Sequence, residues 1–241
     1  MMRTANPALN AKTFQVAEAG SAAMTIQGTV NRTAVMLALL FAATMFTWNP
    51  AAPQTGSSWI LAGGIGGFII ALITIFNKKA APVTAPLYAI CEGLMLGGIS
   101  SMFERMYPGI VVQAILLTFG TLGALLVAYT SGLIKPTENF KLGVAAATGG
   151  IAIFYLISMV MGFFGHTPGV ITSATPAGLI FSGIVVVVAA LNLVLDFDFI
   201  EQGAARGAPK YMEWYAAFGL MVTLVWLYLE ILRLLSKLNR R

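Results

Sequence analysis

Residues 176–199 read PAGLIFSGIVVVVAALNLVLDFDF, an apolar run with two acidic residues near its end and no basic residue. A hydrocarbon core about 30 Å thick is crossed by roughly 20 mostly apolar helical residues, so this run is long enough to span a membrane. The rest of the chain has the same character, because 58% of its 241 residues are hydrophobic and 10% are charged. Soluble proteins carry about 25% charged residues, and the composition therefore predicts a polytopic membrane protein.

Six further apolar runs lie between turn-forming sequences such as Asn49-Pro50 and Lys135-Pro136. Together they predict an all-α fold with seven transmembrane helices, at about residues 33–48, 57–76, 83–103, 110–130, 142–165, 176–199 and 212–235. We expect a polar N-terminal tail at residues 1–32, a seven-helix membrane domain at residues 33–236 and a short basic tail at residues 237–241. The lipid bilayer is the first partner that this organisation implies.

The positions of the 14 Lys and Arg residues indicate the orientation of the chain. These cations lie at the ends of the apolar runs and form no stripe with interleaved aromatics, which argues against nucleic acid as a partner. With the N-terminus in the cytoplasm, the cytoplasmic segments hold nine of the 14 basic residues. The basic C-terminal tail would then lie outside, unless the last run is re-entrant, so the side of the C-terminus stays open.

Acidic residues inside the predicted spans are the strongest functional signal. A carboxylate in a bilayer costs about 2.5–3.5 kcal/mol on insertion scales, so each one needs a reason. Such residues are Glu92 in the third span, Asp196 and Asp198 at the end of the sixth, Glu230 in the seventh and Glu213 at its entrance. No intramembrane cation is placed to neutralise them, apart from a local pair between Glu230 and Arg233. Burial without a cation favours the protonated carboxyl group, so these side chains are predicted to be titratable switches.

Several of these acids also have a purely structural explanation. Glu92 lies near the middle of its predicted span, where it would alternatively be a protonated acid that hydrogen-bonds to a neighbouring helix. Asn192 lies one turn before Asp196 on the same face, which suggests an inward polar stripe. Asp198 would alternatively emerge among the lipid headgroups. For Glu213 we favour a helix-dipole partner at the start of the last helix.

Catalysis has little support in the sequence. His166 is the only histidine and lies in a Gly-His-Thr-Pro-Gly turn, which excludes histidine-based metal clusters. Ser182 lacks a matching base at a plausible depth, and an intramembrane hydrolase built on two acids is the third choice. We therefore expect a protein that is not an enzyme and that needs no cofactor.

Several sequence segments together resemble the Bax inhibitor-1/YccA-like family, also called the transmembrane Bax inhibitor motif family. They are LVLDFDFI at residues 193–200, LYLEILRLL at residues 227–235 and, typical of a bacterial branch, RTANPALNAKTF at residues 3–14, GTVNRT at residues 28–33 and GAPKYMEWYAAFG at residues 207–219. The combination is specific, whereas each piece alone is not. The resemblance implies a bacterial inner membrane.

The resemblance also implies a seven-helix bundle with the last helix at its centre and a pH-sensitive leak for calcium or other cations. In that family two acidic residues share a proton and gate the pore; Asp196 falls on the first position, and Glu230 replaces the usual Asp at the second. Both are then candidate calcium contacts. Yet Glu230 lies roughly 22 Å along its helix from Trp214, so the spacing predicts that the two acids do not touch. A ladder of acids at different depths, with Glu92 between them, is the alternative arrangement.

The sequence thus predicts a pH-sensitive calcium or cation leak in which Asp196, Glu230 and Glu92 form the ion pathway and pH gate. Asp198, Asn192 and Glu213 are its possible accessory residues. The alternative is a non-conducting membrane protein that modulates other membrane proteins. That alternative would use the basic terminal segments to capture its partner proteins.

Overall fold

Seven helices that are long and apolar enough to cross a membrane make up the computed structural model, which describes residues 23–52, 57–165 and 168–240. They are α1 (Ile26–Thr47), α2 (Ser57–Phe76), α3 (Ala81–Met106), α4 (Ile110–Thr130), α5 (Glu138–Phe163), α7 (Pro176–Ala205) and α8 (Met212–Asn239), and a short helix, α6 (Gly169–Thr172), precedes α7. The structure is 85% helical, and the described residues contain no strand. The predicted all-α fold with seven spans is confirmed.

Helix α1 begins at Ile26, before the apolar run predicted at residues 33–48. Thr25 is the N-cap, and its hydroxyl accepts a hydrogen bond from the Gly28 backbone N–H at 2.9 Å. Such a cap satisfies one of the free donors in the first helical turn, which allows a polar sequence to start the helix. Residues 1–22 of the predicted tail lie outside the described residues.

At the other end of the chain, α8 continues through Asn239, past the apolar run predicted at residues 212–235. Lys237 is buried in the bundle, where oxygen atoms of α6 and α7 surround its ammonium group. The last turn of α8 therefore packs against α6 and α7 through this lysine. Arg241 lies outside the described residues.

Helix α8 occupies the centre of the bundle. In its most apolar window 67% of the residues are buried, compared with 50% or less in the other six spans. It packs against α1, α3, α4 and α7, while α2 packs mainly on α3 and α5 on α7. The prediction of a central last helix is therefore confirmed.

Glycines allow the close approach of α1, α2 and α3. A Cβ atom on Gly93 would lie 2.4 Å from the Leu40 carbonyl oxygen, and one on Gly97 would lie 2.4 Å from that of Thr44. On α2, a Cβ atom on Gly63 would lie 2.5 Å from the Cys91 carbonyl oxygen. These glycines allow the backbones of α1, α2 and α3 to come into contact, which is the usual role of small residues at the interfaces of membrane helices.

The two ends of the bundle are named here by the central helix. The N-terminal end is the one at which α1 and α8 begin, and the C-terminal end is the one at which α8 ends. At the N-terminal end, Met24 N donates to Ala208 O at 2.7 Å, and Ala23 forms an isolated backbone bridge with Pro209. The chain before α1 is thus attached to the loop before α8.

Candidate functional site

Asp196 is a buried acid with no cationic partner. It is 4% exposed and its carboxylate faces α8, where Oδ1 lies 3.9 Å from the position of a Cβ on Gly219. The Thr223 side chain lies beside the same carboxylate. Oδ2 is buried and has no hydrogen-bond partner in the described part of the chain, and Asp196 takes part in none of the ion pairs found there. An ionised Asp196 would therefore be an uncompensated charge between α7 and α8.

Glu92 of α3 is the second acid without a cation. It is buried, and its Oε1 lies 2.7 Å from the position that a Cβ on Gly67 would occupy. The carboxyl group thus fills the space that a glycine of α2 leaves. Tyr88, one turn earlier, is its hydrogen-bonding neighbour, and the Tyr88 ring packs on Phe218 of α8 with 4.9 Å between the ring centroids. Within the described residues, Glu92 forms no ion pair.

Glu230 differs from these two acids because it is paired. Its Oε1 accepts hydrogen bonds from Arg233 Nη1 at 2.8 Å and from the Tyr155 hydroxyl of α5 at 2.9 Å. Arg233 Nη1 also donates to the Tyr155 oxygen at 2.7 Å, so the three groups form one network. The structure contains the local pair between Glu230 and Arg233 that their spacing predicted. Oε2 of Glu230 is buried without a partner, but the charge is compensated.

The structure does not bring Asp196 and Glu230 together. Asp196 lies at the level of Gly219 and Thr223, whereas Glu230 is seven residues beyond Thr223, or about 10 Å along α8. Glu230 faces Tyr155 of α5, while Glu92 faces α2. The pair with a shared proton that the resemblance implies is therefore absent from this arrangement, and the three acids form no common cluster. A ladder of acids along one ion path stays a prediction.

Asp198 is compensated, contrary to the expectation that no intramembrane cation is suitably placed. Its Oδ2 lies 2.8 Å from Nζ of Lys141, a buried residue of α5, and it accepts a hydrogen bond from Gln202 at 2.5 Å. Glu138 is a further neighbour of Lys141, at 3.5 Å. The sequence does not reveal this pair, because Lys141 is on another helix and just precedes the apolar run predicted at residues 142–165. Asp198 is thus attached to α5 by an ion pair.

Asn192, the other predicted accessory residue on α7, joins two helices. Its Nδ2 donates to Thr148 Oγ1 of α5 at 2.8 Å and to the Val188 carbonyl oxygen at 2.8 Å. Its side-chain amide therefore stabilises the packing of α5 on α7. It shares the buried face of α7 with Asp196, as the spacing predicted.

Glu213 lies in the first turn of α8 and joins it to the start of α1. It is 0% exposed, and its Oε1 accepts from Thr25 N at 3.0 Å, Thr25 Oγ1 at 2.9 Å and Lys210 Nζ at 2.7 Å. Arg32 Nε lies 3.9 Å from Oε2. A Cβ on Gly28 would lie 1.9 Å from Oε1, so the first turn of α1 leaves space for this carboxylate only because Gly28 has no side chain. Beyond the predicted dipole contact, Glu213 is thus a tertiary link.

Lys237 is a buried cation that sequence reasoning missed. Its Nζ donates to the carbonyl oxygens of Val170 and Gly178 at 3.0 Å each and to Ser182 Oγ at 2.8 Å. Helical spacing could have indicated that Lys237 is buried, because it follows Glu230 by seven residues and so lies on the same face of α8. It fastens the C-terminal end of α8 to α6 and α7.

A cleft of about 650 Å³ lies at the N-terminal end, between α1, α4, α7 and α8. We call it the N-terminal cleft. Phe197 and Leu220, the sequence neighbours of Asp196 and Gly219, line its inner part. Its lining also includes Glu201, which accepts a short hydrogen bond from Tyr129. The cleft therefore extends from one end of the bundle toward the level of Asp196.

A preformed metal centre is not found among the described residues, which contain no group of three or more His, Cys, Asp or Glu side chains able to hold an ion. His166 lies outside them. Asp196 of α7 lies at the level of Gly219 and Thr223 of α8, and Glu230 lies further along α8, so the two carboxyl groups are at different levels of the bundle.

A family model described as Bax inhibitor 1 like matches residues 6–240 and so covers all seven spans. No curated protein and no solved structure matches the chain.

Proposed function

The chain belongs to the Bax inhibitor 1 like family, and on that basis we propose that it is a pH-sensitive cation leak in which Asp196 is the proton-sensitive group. The observation that carries the proposal is the buried carboxyl of Asp196, which has an unpartnered Oδ2 and no cation beside it. Burial of an unpaired carboxylate is unfavourable, so the packed arrangement favours the protonated acid. Loss of the proton places a negative charge between α7 and α8 and favours conformations in which water or a cation reaches it.

The neighbouring charged groups do not compensate Asp196, because each is engaged elsewhere. On the helices packed against α7, the pairs are Lys141 with Asp198, Arg233 with Glu230, Lys210 with Glu213 and Tyr129 with Glu201, while Lys237 donates to three oxygen atoms. A change in the protonation of Asp196 therefore changes the net charge of this part of the interior.

Two further features support a leak. The N-terminal cleft is lined by Phe197 and Leu220, the sequence neighbours of Asp196 and Gly219, so we propose that cations enter the bundle from this end. Glu92, the other buried acid that forms no ion pair in the described part of the chain, supplies a second carboxyl group inside the bundle. Calcium is the proposed permeant ion, because hard cations prefer carboxylate and carbonyl oxygens. Glu230 has a structural role in this proposal, as the partner of Arg233.

The proposal includes a location and an orientation. We place the protein in a bacterial inner membrane with its N-terminal end in the cytoplasm and with no catalytic activity or cofactor. The N-terminal end carries most of the basic residues of the described chain, namely Arg32, Lys78, Lys79, Lys135, Lys141, Arg206 and Lys210. Cytoplasmic segments of membrane proteins are enriched in Lys and Arg. Cysteine labelling from either side, with single cysteines at residues 79 and 105 in a Cys91→Ala background, tests the orientation.

The functional test is calcium entry into dye-loaded liposomes from about pH 6 to about pH 8. We expect flux through the native protein to rise with pH, because the ionised acid attracts cations and destabilises the closed packing. Asp196→Asn is expected to remove this pH dependence and Glu92→Gln to reduce it. Glu138→Gln, at an exposed acid of α5, is the matched control and is expected to behave as the native protein. An unchanged pH profile in both Asp196→Asn and Glu92→Gln would refute the assignment, and a native protein without flux would favour the non-conducting interaction protein.

A further inference from the structure

A second cavity, of about 300 Å³, lies in the C-terminal half of the bundle between α1, α3, α4 and α8. We call it the C-terminal cavity. Its walls are mostly apolar and include Leu40, Phe41, Leu96, Val111 and Leu224. Its volume is at the lower end of the range of about 300–1,000 Å³ that is typical of ligand sites. Apolar walls suit an apolar ligand.

Glu104 is the only charged residue in the lining of the C-terminal cavity. Its Oε1 accepts from Gly109 N at 2.7 Å and its Oε2 from Val111 N at 3.2 Å, which fixes the carboxylate at the start of α4. Each carboxylate oxygen has a second acceptor site, so both can accept a further hydrogen bond. The negative charge is therefore held in place with acceptor capacity left for a ligand.

Glu104, Ser100 and Tyr228 form a polar group at one end of the C-terminal cavity. Glu104 belongs to the last turn of α3, and Ser100, one turn before it, hydrogen-bonds to the Tyr228 hydroxyl at 2.7 Å. The opposite, apolar end reaches Leu37 and Met221 near the middle of the bundle. Such a cavity fits a molecule with a long apolar part and a hydrogen-bond donor at the membrane surface.

The C-terminal cavity also has lining residues that face outward between α1 and α4. Met45 of α1 is 70% exposed and Val112 of α4 is 60% exposed, and both residues line the cavity. In a membrane, large exposed apolar side chains of spanning helices face lipid chains. The cavity is thus continuous with the hydrocarbon of the bilayer.

We propose that the C-terminal cavity binds one acyl chain of a membrane phospholipid whose headgroup carries a primary ammonium, and that Glu104 binds this ammonium. The apolar walls account for the chain, the outward-facing residues for entry from the bilayer, and the fixed carboxylate for a cationic donor. A carboxylate and an ammonium form a charge-assisted hydrogen bond. The headgroup of phosphatidylglycerol has no ammonium and cannot form this bond. The site is independent of Asp196 and of the proposed leak.

The test is native mass spectrometry of the full-length protein in detergent with equal amounts of phosphatidylethanolamine and phosphatidylglycerol of identical chains. We expect one tightly bound lipid, with a preference for phosphatidylethanolamine of about tenfold. Glu104→Gln is expected to remove this preference while a chain is still bound. Val112→Trp, which fills the outward-facing side of the cavity, is expected to lower the binding of both lipids. Leu116→Trp is the control, because Leu116 is 67% exposed on the same helix and lies outside the cavity lining.

The outcomes separate the possible sources of the ligand. Equal binding of the two lipids to the native protein, or unchanged binding to Val112→Trp, would overturn the proposal. Dodecylammonium, added as a free amphiphile, is expected to displace the lipid only at high concentration; if it binds while phosphatidylethanolamine does not, the site is for a free amine and the lipid assignment is wrong. Since Glu104 also accepts backbone N–H groups of α4, thermal unfolding is measured for each variant, and Val112→Trp keeps the test decisive if Glu104→Gln does not fold.

Discussion

Lys141 Nζ lies 2.8 Å from Asp198 Oδ2, whereas Asp196, two residues earlier on the same helix, has no cation beside it. Both acids lie near the same end of α7, and α5 supplies a positive charge to one of them only. One carboxylate therefore has a cationic partner in the packed bundle, and the other has none among the described residues. This difference between neighbours is what separates a structural acid from a candidate sensor.

The Lys141 and Asp198 pair is expected to stabilise the bundle as a unit. Replacement by Lys141→Met leaves Asp198 without its cation and is expected to lower the free energy of unfolding by about 3 kcal/mol. The double variant Lys141→Met with Asp198→Asn is expected to regain part of that loss, because no charge is left unpaired. Unfolding in detergent measures both. The pair would be shown not to couple if Lys141→Met lowered the free energy of unfolding by the same amount in the Asp198→Asn protein as in the native protein.

Asp196→Asn is expected to have the opposite effect on stability from Lys141→Met. The amide cannot ionise, so the free energy of unfolding is expected to be equal to or higher than that of the native protein, with the larger difference at higher pH. The sign follows because ionisation of Asp196 is less favourable in the folded bundle than in the unfolded chain. Equilibrium unfolding at about pH 5 and about pH 8 checks it. A large loss of stability at both pH values would show that the carboxyl group has a structural role.

The apolar runs were enough to predict the seven helices, since bilayer thickness fixes the length of each. The ends of helices were less predictable, because they depend on contacts with other elements. The hydrogen bond between Thr25 and Glu213 stabilises a start of α1 before the predicted residue 33. The oxygen atoms that accept from Lys237 stabilise the last turn of α8, beyond the predicted end at residue 235.

The same distinction applies to the candidate site. The pair of Glu230 with Arg233 is local and follows from helical spacing. The pair of Lys141 with Asp198 depends on how two distant segments pack, so one sequence does not reveal it. The relation of Asp196 to Gly219 likewise required the placement of α7 against α8.

Gly28 is expected to be essential for the link between α1 and α8. A methyl group there would lie 1.9 Å from Glu213 Oε1, so Gly28→Ala is expected to displace the carboxylate and lower the free energy of unfolding by about 2 kcal/mol. Gly183→Ala on α7 is the matched control, because a Cβ there has no atom within 4 Å. Alanine favours a helix over glycine by about 1 kcal/mol, so the control is expected to be neutral or stabilising. Equal effects of the two variants on unfolding would contradict this account of Gly28.

Lys237→Met is expected to weaken the attachment of the C-terminal end of α8. The change removes a charged donor from Val170 O, Gly178 O and Ser182 Oγ, for an expected loss of about 2 kcal/mol. Lys79→Met, at an exposed lysine of the N-terminal end, is the control and is expected to change stability little. Limited proteolysis is expected to cut the Lys237→Met protein faster near α6. If both variants unfold alike, the buried ammonium contributes no net stability.

Arg233→Leu is expected to turn Glu230 into a second pH-sensitive acid. In the native chain the guanidinium lies 2.8 Å from Glu230 Oε1 and compensates its charge. Without Arg233, ionisation of the buried Glu230 becomes less favourable in the folded bundle than in the unfolded chain, so stability is expected to fall as the pH rises. The loss relative to the native protein should therefore be larger at about pH 8 than at about pH 5, by about 1 kcal/mol or more. Arg233→Lys keeps the charge and is expected to show no such trend; a loss that is the same at both pH values would mean that Arg233 acts through packing on Tyr155 alone.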